Sequence, residues 1–289
     1  MKLEMVMVGV AIAALVLGVP AAEGNGRQDS GANADKRPEI RCEGEYPLHL
    51  QGVATDGTNI FWTFTTVLVK TDLDGRFLAK DTIARADGHM GDLCCHGGKV
   101  YVGMNMGQKG GCRVGDEVWE YDIATMKFIR KHPTPQAVWC NNGVEFHDGS
   151  FWIISSAPKY CRYNMLFRYT PDFRFIRCQM IDSGWTNLGV QTICRWGDKI
   201  LLGCYGSPND GKSPHKSCTL VVDGNALASA SSDKAFPPVV PCERRVEINT
   251  AEGMLDLDGT LMVAHGIRLS PRDDRNNQRW SARLSPLSL

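Results

Sequence analysis

The sequence has no excess of charge of either sign. Its 289 residues include 32 basic and 32 acidic side chains, and no run of basic residues alternates with aromatic ones. Proteins that bind nucleic acids or anionic membranes usually carry a basic patch that provides the attraction. We therefore expect neither a nucleic acid nor a membrane surface among the partners of this chain, and we expect a monomer.

Long apolar stretches are also missing. The one apolar run, from Val6 to Leu17, is shorter than the roughly 20 residues that span a bilayer. Lys2 precedes it and the small residues Val19 to Ala21 follow it, a pattern typical of a secretory signal peptide. We predict a signal peptide at 1–21, a disordered polar linker at 22–38, a folded domain at 39–289 without a membrane span, and a secreted or periplasmic location.

Several motifs that would name a chemistry are absent. No glycine-rich loop joins a strand to a helix and no GxSxG sequence occurs, so nucleotide-binding and lipase-type functions lack support. No window shows the sustained 3.6-residue periodicity of a long helix. Paired CxxC motifs, which structural zinc sites use, are missing too.

Cysteine, in contrast, is abundant. Eleven cysteines behind a signal peptide favour disulfides in an oxidising compartment, and the odd number leaves at least one unpaired. Cys204 and Cys218 bracket one loop and are the best local pair. Cys112 and Cys161 lie in equivalent loops of adjacent repeats and could pair across them.

A repeated pattern organises the rest of the chain. Five times a glycine-centred tripeptide opens an apolar run, which breaks at a polar turn with glycine and restarts as a second apolar run. Self-similarity at this spacing is typical of a β-propeller with one four-stranded blade per repeat. The sequence therefore predicts an all-β, five-bladed β-propeller. The tripeptides are Gln51-Gly52-Val53, Met90-Gly91-Asp92, Asn142-Gly143-Val144, Leu188-Gly189-Val190 and Glu252-Gly253-Met254.

The last repeat offers only three strands before the chain ends. The segment EIRCEGE, which precedes the first repeat, has the character of an outer strand. We predict that this N-terminal strand completes the fifth blade, which joins the two chain ends and removes an open sheet edge. The recurring glycines are expected to permit close approach of the inner strands near the axis.

The connections between second and third strands are long and polar in four of the five repeats, and they project from the face at which the inner strands start. Long loops on one face of a rigid scaffold commonly carry function. We therefore expect the site at this face, around the mouth of the central channel. The candidate catalytic residues are Glu145, Glu252, Asp92 and His89. The candidate ligand-binding residues are Gln51, Asn142, Asn187, Gln191, Trp185, His265, Asn105 and Tyr205.

The strand–turn–strand units KTDLDGRFL and RYTPDFRFI resemble those of secreted propellers such as the NHL-like proteins. This resemblance covers most of the mature chain and implies the fold. Other five-bladed propellers include arabinanase-like and invertase-like glycosidases, calcium-dependent nucleotidases and tachylectin-type lectins. The glycosidases carry an early inner-strand aspartate as catalytic base, where this chain has Gln51.

The sequence leaves three functions open. The first is a binding module for a polar ligand, above all carbohydrate, with aromatic stacking and with calcium as a possible ion in the channel. The second is a glycan-cleaving hydrolase or lyase in which Glu145, Glu252 and Asp92 serve as acid and base and His89 as a base. The third is a scaffold for another protein. The same polar residues could also simply hydrogen-bond ordered water in the channel.

Overall fold

The computed structural model describes residues 37–84, 88–109, 112–113, 115–157, 161–206, 216–231, 237–271 and 277–289. Five antiparallel sheets, each built on four strands, stand around one axis, and the inner strand of each sheet contacts those of its two neighbours. The predicted five-bladed β-propeller is therefore confirmed. The predicted signal peptide and most of the linker lie outside the described residues.

The strands follow the repeats in order along the chain. After β1 (Ile40–Pro47), blade one contains β2 (Leu50–Thr55), β3 (Asn59–Phe64), β4 (Val67–Asp72) and β5 (Phe77–Thr82). Blade two contains β6 (His89–His96), β7 (Lys99–Asn105), β10 (Glu117–Asp122) and β11 (Phe128–Pro133), with the short pair β8 (Gln108–Lys109) and β9 (Cys112–Arg113) in its loop.

The remaining blades continue this arrangement. Blade three contains β12 (Gly143–His147), β13 (Ser150–Ile154), β14 (Cys161–Tyr169) and β15 (Phe175–Thr186). Blade four contains β16 (Val190–Trp196), β17 (Lys199–Cys204), β18 (Cys218–Asp223) and β20 (Arg244–Val246), with α1 (Gly224–Ser229) and β19 (Val239–Pro241) between its last two strands. Blade five contains β21 (Met254–Leu257), β22 (Thr260–Arg268) and β23 (Arg279–Pro286).

The N-terminal strand closes the ring as predicted. β1 pairs antiparallel with β23, so that Ile40 lies opposite Leu284 and Tyr46 opposite Trp280. Tyr46 is buried and its ring stacks on Phe64 of blade one, with 4.6 Å between the ring centroids. The first and last strands of the propeller therefore share one blade, which removes the open edge of β23.

The insertion in blade four is ordered where it is described. Asp223 caps α1 by accepting a hydrogen bond from the backbone N–H of Ala226. Gln179 and Arg168 of blade three donate to carbonyl groups of this helix, and β19 then pairs in parallel with β15. Six helical residues are too few for a periodic signal, so the sequence did not predict α1.

The apolar core lies between blades rather than in one central mass. Five clusters of buried side chains occur in the described part of the chain, one at each contact between neighbouring blades. Trp62 and Trp152 on second strands are completely buried in two of them. Each large apolar side chain that is removed from water in this way contributes about 1.5–3 kcal/mol.

The predicted disulfide between Cys204 and Cys218 is not formed in the structure. No disulfide joins any of the ten cysteines whose side chains are described. Cys204 and Cys218 do lie opposite each other on β17 and β18. Directly opposed residues of antiparallel strands keep their Cβ atoms about 4.5–5.5 Å apart, whereas a disulfide needs about 3.8 Å. Cys112, the predicted partner of Cys161, has its side chain outside the described part.

Within the described residues, no helix is both long enough and apolar enough to cross a membrane.

Candidate functional site

The propeller has two distinct faces. The inner strands start at the looped face, which we define by the connections between second and third strands. They end at the short-turn face, which we define by the tight turns between inner and second strands, such as Asp56–Thr58. The channel therefore runs along the inner strands from the looped face to the short-turn face.

Asp92 lies across the axis of the propeller between these faces. Its carboxyl group is completely buried, and it accepts hydrogen bonds from the backbone N–H of Val53 at 3.3 Å and of Ile193 at 2.8 Å. The backbone N–H of Asp92 donates to the carbonyl oxygen of Asn142 at 2.7 Å. One residue of blade two thus links the inner strands of blades one, three and four.

The repeated glycines make room for this residue. A Cβ atom on Gly143 would lie 2.6 Å from the Cβ of Asp92, and one on Gly52 would overlap the Asp92 carboxyl oxygen Oδ1. Real side chains do not approach so closely, so only glycine fits at these two positions. The glycine of the repeat is therefore explained by close packing around the axis.

The structure corrects the expected position of Asp92. We expected it at the mouth of the channel beside His89, but it lies buried in the middle. The strand β6 has an irregularity in register between Met90 and Leu93, and such bulges re-aim side chains. Burial raises the pKa of Asp92 well above its ordinary value, while the N–H donors of Ile193, Leu93 and Val53 act in the opposite direction.

The structure places the other two candidate acids on opposite sides of Asp92. Glu145 accepts a hydrogen bond from the backbone N–H of Arg195 at 3.1 Å, two residues closer to the short-turn face than Ile193. Glu252 accepts one from the backbone N–H of Gly266 at 2.7 Å, toward the looped end of β22. Glu145 was expected at the looped face, and this expectation was wrong because it lies two residues beyond the glycine of its repeat. The carboxyl groups of Glu145 and Glu252 therefore contact different ends of the channel.

A group of half-buried polar side chains surrounds the channel at the looped face. The side-chain amide of Gln51 donates to Nε2 of His49 at 2.5 Å. The ring of His49 lies 6.3 Å from that of His89 and 6.1 Å from that of Trp280, measured between centroids. His49 and Trp280 were not among the predicted site residues. His49 precedes β2, and the register of that strand is irregular between Leu50 and Gly52, so the two-residue period of a strand gave no signal for His49.

Glu252 belongs to the same face and has polar and aromatic neighbours. Burial raises the pKa of its carboxyl group, and the hydrogen bond from Gly266 opposes this effect. Burial, with a further contribution from the charge of Glu252, raises the pKa of Tyr205 to about 12. Burial and the nearby Arg283 lower the pKa of His265. At neutral pH the phenol is therefore a hydrogen-bond donor and the imidazole is uncharged. Trp280 packs against Gly266.

Most of the predicted amide residues support loops and blade contacts. Asn142 donates to Oγ of Ser156 and to the carbonyl oxygen of Val190, both at 2.8 Å, and so connects blades three and four. The amide of Asn187 is buried and donates to the carbonyl oxygen of Gly206 at 3.2 Å.

The remaining predicted residues lie nearer the surface of the looped face. Gln191 donates to the carbonyl oxygen of Leu188 at 3.1 Å, and Asn105 accepts from the backbone N–H of Gly107 at 2.9 Å. Trp185 is 52% exposed near the looped end of β15. Its indole is therefore available for stacking.

A cavity of about 400 Å³ opens on the short-turn side of Asp92. All five inner strands contribute to its wall, which includes Glu145, Asp256, Arg195 and three thiols. Burial raises the pKa of Glu145 to about 7, against the opposing effects of two backbone N–H donors and Arg195. No group of three or more His, Cys, Asp or Glu in the described ranges could hold a metal ion.

No protein-family model matches the chain, and no curated protein matches its sequence. Among solved structures, glutaminyl cyclase from Myxococcus xanthus is similar with a TM-score of 0.48 and 12% identity, covering 87% of this chain and 100% of that one.

Two further structures show a similar likeness. The PQQ-bound aldose sugar dehydrogenase from Streptomyces coelicolor has a TM-score of 0.45 and 9% identity, over 86% of this chain and 98% of that one. The WD40 domain of Pan2 from Neurospora crassa has a TM-score of 0.39 and 9% identity, over 80% and 74% of the two chains.

Proposed function

We propose that this chain is a secreted propeller that binds a polar ligand, with carbohydrate as the favoured class, at the looped face. The observation that carries the proposal is the group of half-buried polar side chains around the channel mouth. It combines a carboxyl group (Glu252), a phenol (Tyr205), an imidazole (His49) and an amide (Gln51). Asp92 closes the channel beneath this group, so a ligand would rest on it without passing through.

The chemistry of these groups supports a ligand that is rich in hydroxyls. A hydroxyl both donates and accepts hydrogen bonds, and the group offers acceptors and donors of each kind at neutral pH. An indole ring lies beside them, since Trp280 contacts Gly266 next to the Glu252 carboxyl group. A sugar ring presents apolar C–H faces to such rings and hydroxyls to the polar groups.

The hydrolase alternative has less support than binding. An acid and a base that cleave a glycosidic bond stand about 5–9.5 Å apart across one substrate. Glu145 and Glu252 lie on opposite sides of the buried Asp92 and contact different ends of the channel. A catalytic pair would need a second carboxylate at the looped face beside Glu252.

A titration with a panel of neutral oligosaccharides tests the proposal. Calorimetry on the full mature chain should show binding of at least one glycan, and mass spectrometry should show that its mass is unchanged. The Glu252→Gln variant should bind that glycan about 10-fold or more weakly, because it loses a hydrogen bond to a charged group.

The matched control is Glu247→Gln, which changes an exposed carboxylate that pairs with Lys216 away from the channel mouth. It should leave the affinity unchanged. Products heavier by one water per cleavage would instead favour the hydrolase. The absence of any bound glycan would contradict the carbohydrate proposal and favour the protein scaffold, for which Trp139 and Trp185 are exposed on the looped face.

A further inference from the structure

Two thiols lie opposite each other at the looped end of blade four. Cys204 ends β17 and Cys218 begins β18, and the two residues are directly paired in this antiparallel ladder. They are 0% and 1% exposed, and they belong to an apolar cluster that also contains Val190, Leu202 and Leu220. No other two cysteines are paired across the described strands. The function proposed for the looped face does not use this pair.

The two thiols contact each other rather than an oxygen acceptor. The S–H of Cys204 hydrogen-bonds to the sulfur of Cys218, which lowers the pKa of Cys218 and raises that of Cys204. Thiols elsewhere in the chain donate to oxygen atoms instead, as those of Cys140, Cys161 and Cys242 do. The sulfur atoms of the pair therefore converge on one point, and both remain free thiols.

A cation lies close enough to act on both sulfur atoms. The charge of Arg245 favours the ionised form of each thiol, whereas burial acts in the opposite direction. Nη1 of Arg245 donates to the carbonyl oxygens of Ser183 at 3.1 Å and Trp185 at 2.7 Å, and the guanidinium forms no ion pair with any residue that the structure describes. Glu247 disfavours ionisation of one thiol, but it is exposed and pairs with Lys216. The charge of Arg245 can therefore balance a negative charge on sulfur.

Two sulfur ligands suit a soft metal ion and no other common one. Structural zinc sites use about four ligands and calcium takes about six to eight oxygen atoms. Thiolates select soft ions such as Cu(I), which is stable with two ligands in a line. Opposed residues of antiparallel strands keep their Cβ atoms about 4.5–5.5 Å apart, whereas a disulfide needs about 3.8 Å. This spacing leaves room for an ion between the two sulfur atoms.

We propose that Cys204 and Cys218 form a binding site for a soft monovalent metal ion, Cu(I), in blade four. The ion forms one bond to each sulfur, and the two thiol protons leave to solvent. No electron is transferred in this step. The bis-thiolate complex carries one negative charge, which Arg245 balances. This site goes beyond the polar-ligand function proposed for the looped face and does not depend on it.

Transfer of Cu(I) from its coloured complex with bicinchoninate tests the proposal, in the absence of oxygen and with ascorbate as reductant. The full mature chain should withdraw one equivalent of Cu(I) from this complex. Cys204→Ala and Cys218→Ala should each abolish the transfer, because each removes one of the two metal bonds. Cys178→Ala is the matched control, since Cys178 on β15 has no cysteine opposite it, and this variant should bind Cu(I) like the native chain.

Two further readouts test the charge and the ligand set. Arg245→Gln should weaken Cu(I) binding about 10-fold, because the complex loses its counter-charge, whereas Arg244→Gln at the preceding exposed arginine should not. X-ray absorption of the Cu(I)-loaded native chain, which needs no substitution, should show two sulfur neighbours and no nitrogen or oxygen. Failure to withdraw Cu(I), undiminished uptake by Cys204→Ala, equal effects of the two arginine variants, or an isolated chain lighter by two hydrogen atoms, as in a disulfide, would each overturn the proposal.

Discussion

Replacement of Asp92 by asparagine tests how the propeller is held together at its axis. The substitution keeps the size and shape of the side chain, but it turns one carboxyl oxygen into an NH₂ group. In the native chain the two oxygens accept from the N–H groups of Val53 and Ile193. The amide can accept only one of these bonds, so one buried N–H of an inner strand then faces another donor.

The loss of stability follows from that buried N–H group without an acceptor. A buried polar group without a partner costs about 1–3 kcal/mol, and we expect Asp92→Asn to lower the free energy of unfolding by this amount. Asp92→Ala leaves both N–H groups without their acceptor and should cost about 2–6 kcal/mol. Urea denaturation at neutral pH, followed by tryptophan fluorescence, measures both losses.

Asp74→Asn is the matched control, because Asp74 is an exposed turn residue paired with Arg76. Surface changes of this kind stay within about 0.5 kcal/mol. If Asp92→Asn lowers the free energy of unfolding no more than this control does, the Asp92 carboxyl group does not join the blades at the axis.

Three further predictions concern closure, packing and pH. Tyr46→Ala should lower the free energy of unfolding by about 3–5 kcal/mol in chemical denaturation, because the ring is buried between blades five and one. Tyr163→Ala, at an exposed tyrosine, should lower it little. Equal losses in the two variants would argue against closure of the ring by β1. Gly143→Ala should lower the free energy of unfolding by about 1–3 kcal/mol, because the added methyl group meets Asp92. Gly115→Ala should leave stability unchanged, because open space surrounds that position. A Gly143→Ala variant as stable as the native chain would contradict the close packing around Asp92. Burial raises the pKa of Glu145 to about 7, so the folded chain keeps a proton that the unfolded chain releases, and stability falls as pH rises from about 4.5 to 7 and is constant above. Between pH 5 and 8 the free energy of unfolding of the native chain should fall by about 2 kcal/mol more than that of Glu145→Gln, as measured by denaturation at each pH. Parallel curves of stability against pH for the two proteins would refute this prediction.

The fold could be predicted from the sequence because its signals are local and repeated. The glycine of each repeat, the turn that follows and the paired apolar runs define strands without knowledge of distant contacts. The closure of blade five could also be predicted. The C-terminal repeat offers three strands and the N-terminal segment offers one, and only their pairing leaves no open sheet edge. The helix α1 and the strand β19 were missed because their formation depends on contacts with blade three.

The site was predicted less well because its geometry depends on depth within the channel. A strand rises about 3.3 Å per residue, so the position of each acid relative to the repeat glycine determines its depth. Glu252 precedes its glycine, Asp92 follows its own by one residue and Glu145 by two. The structure places them in that order from the looped face to the short-turn face. This signal was present in the sequence, whereas the bulge that turns Asp92 toward the axis was not.

We expect that a polar ligand binds at the looped face and stops at Asp92. Hydroxyl-radical footprinting of the full mature chain, with and without a saturating oligosaccharide from the binding panel, tests it directly. The ligand should protect Tyr205 and Trp280 at the looped face and leave the labelling of Phe146 at the short-turn face unchanged. Protection of Phe146 with Tyr205 and Trp280 unchanged would contradict it.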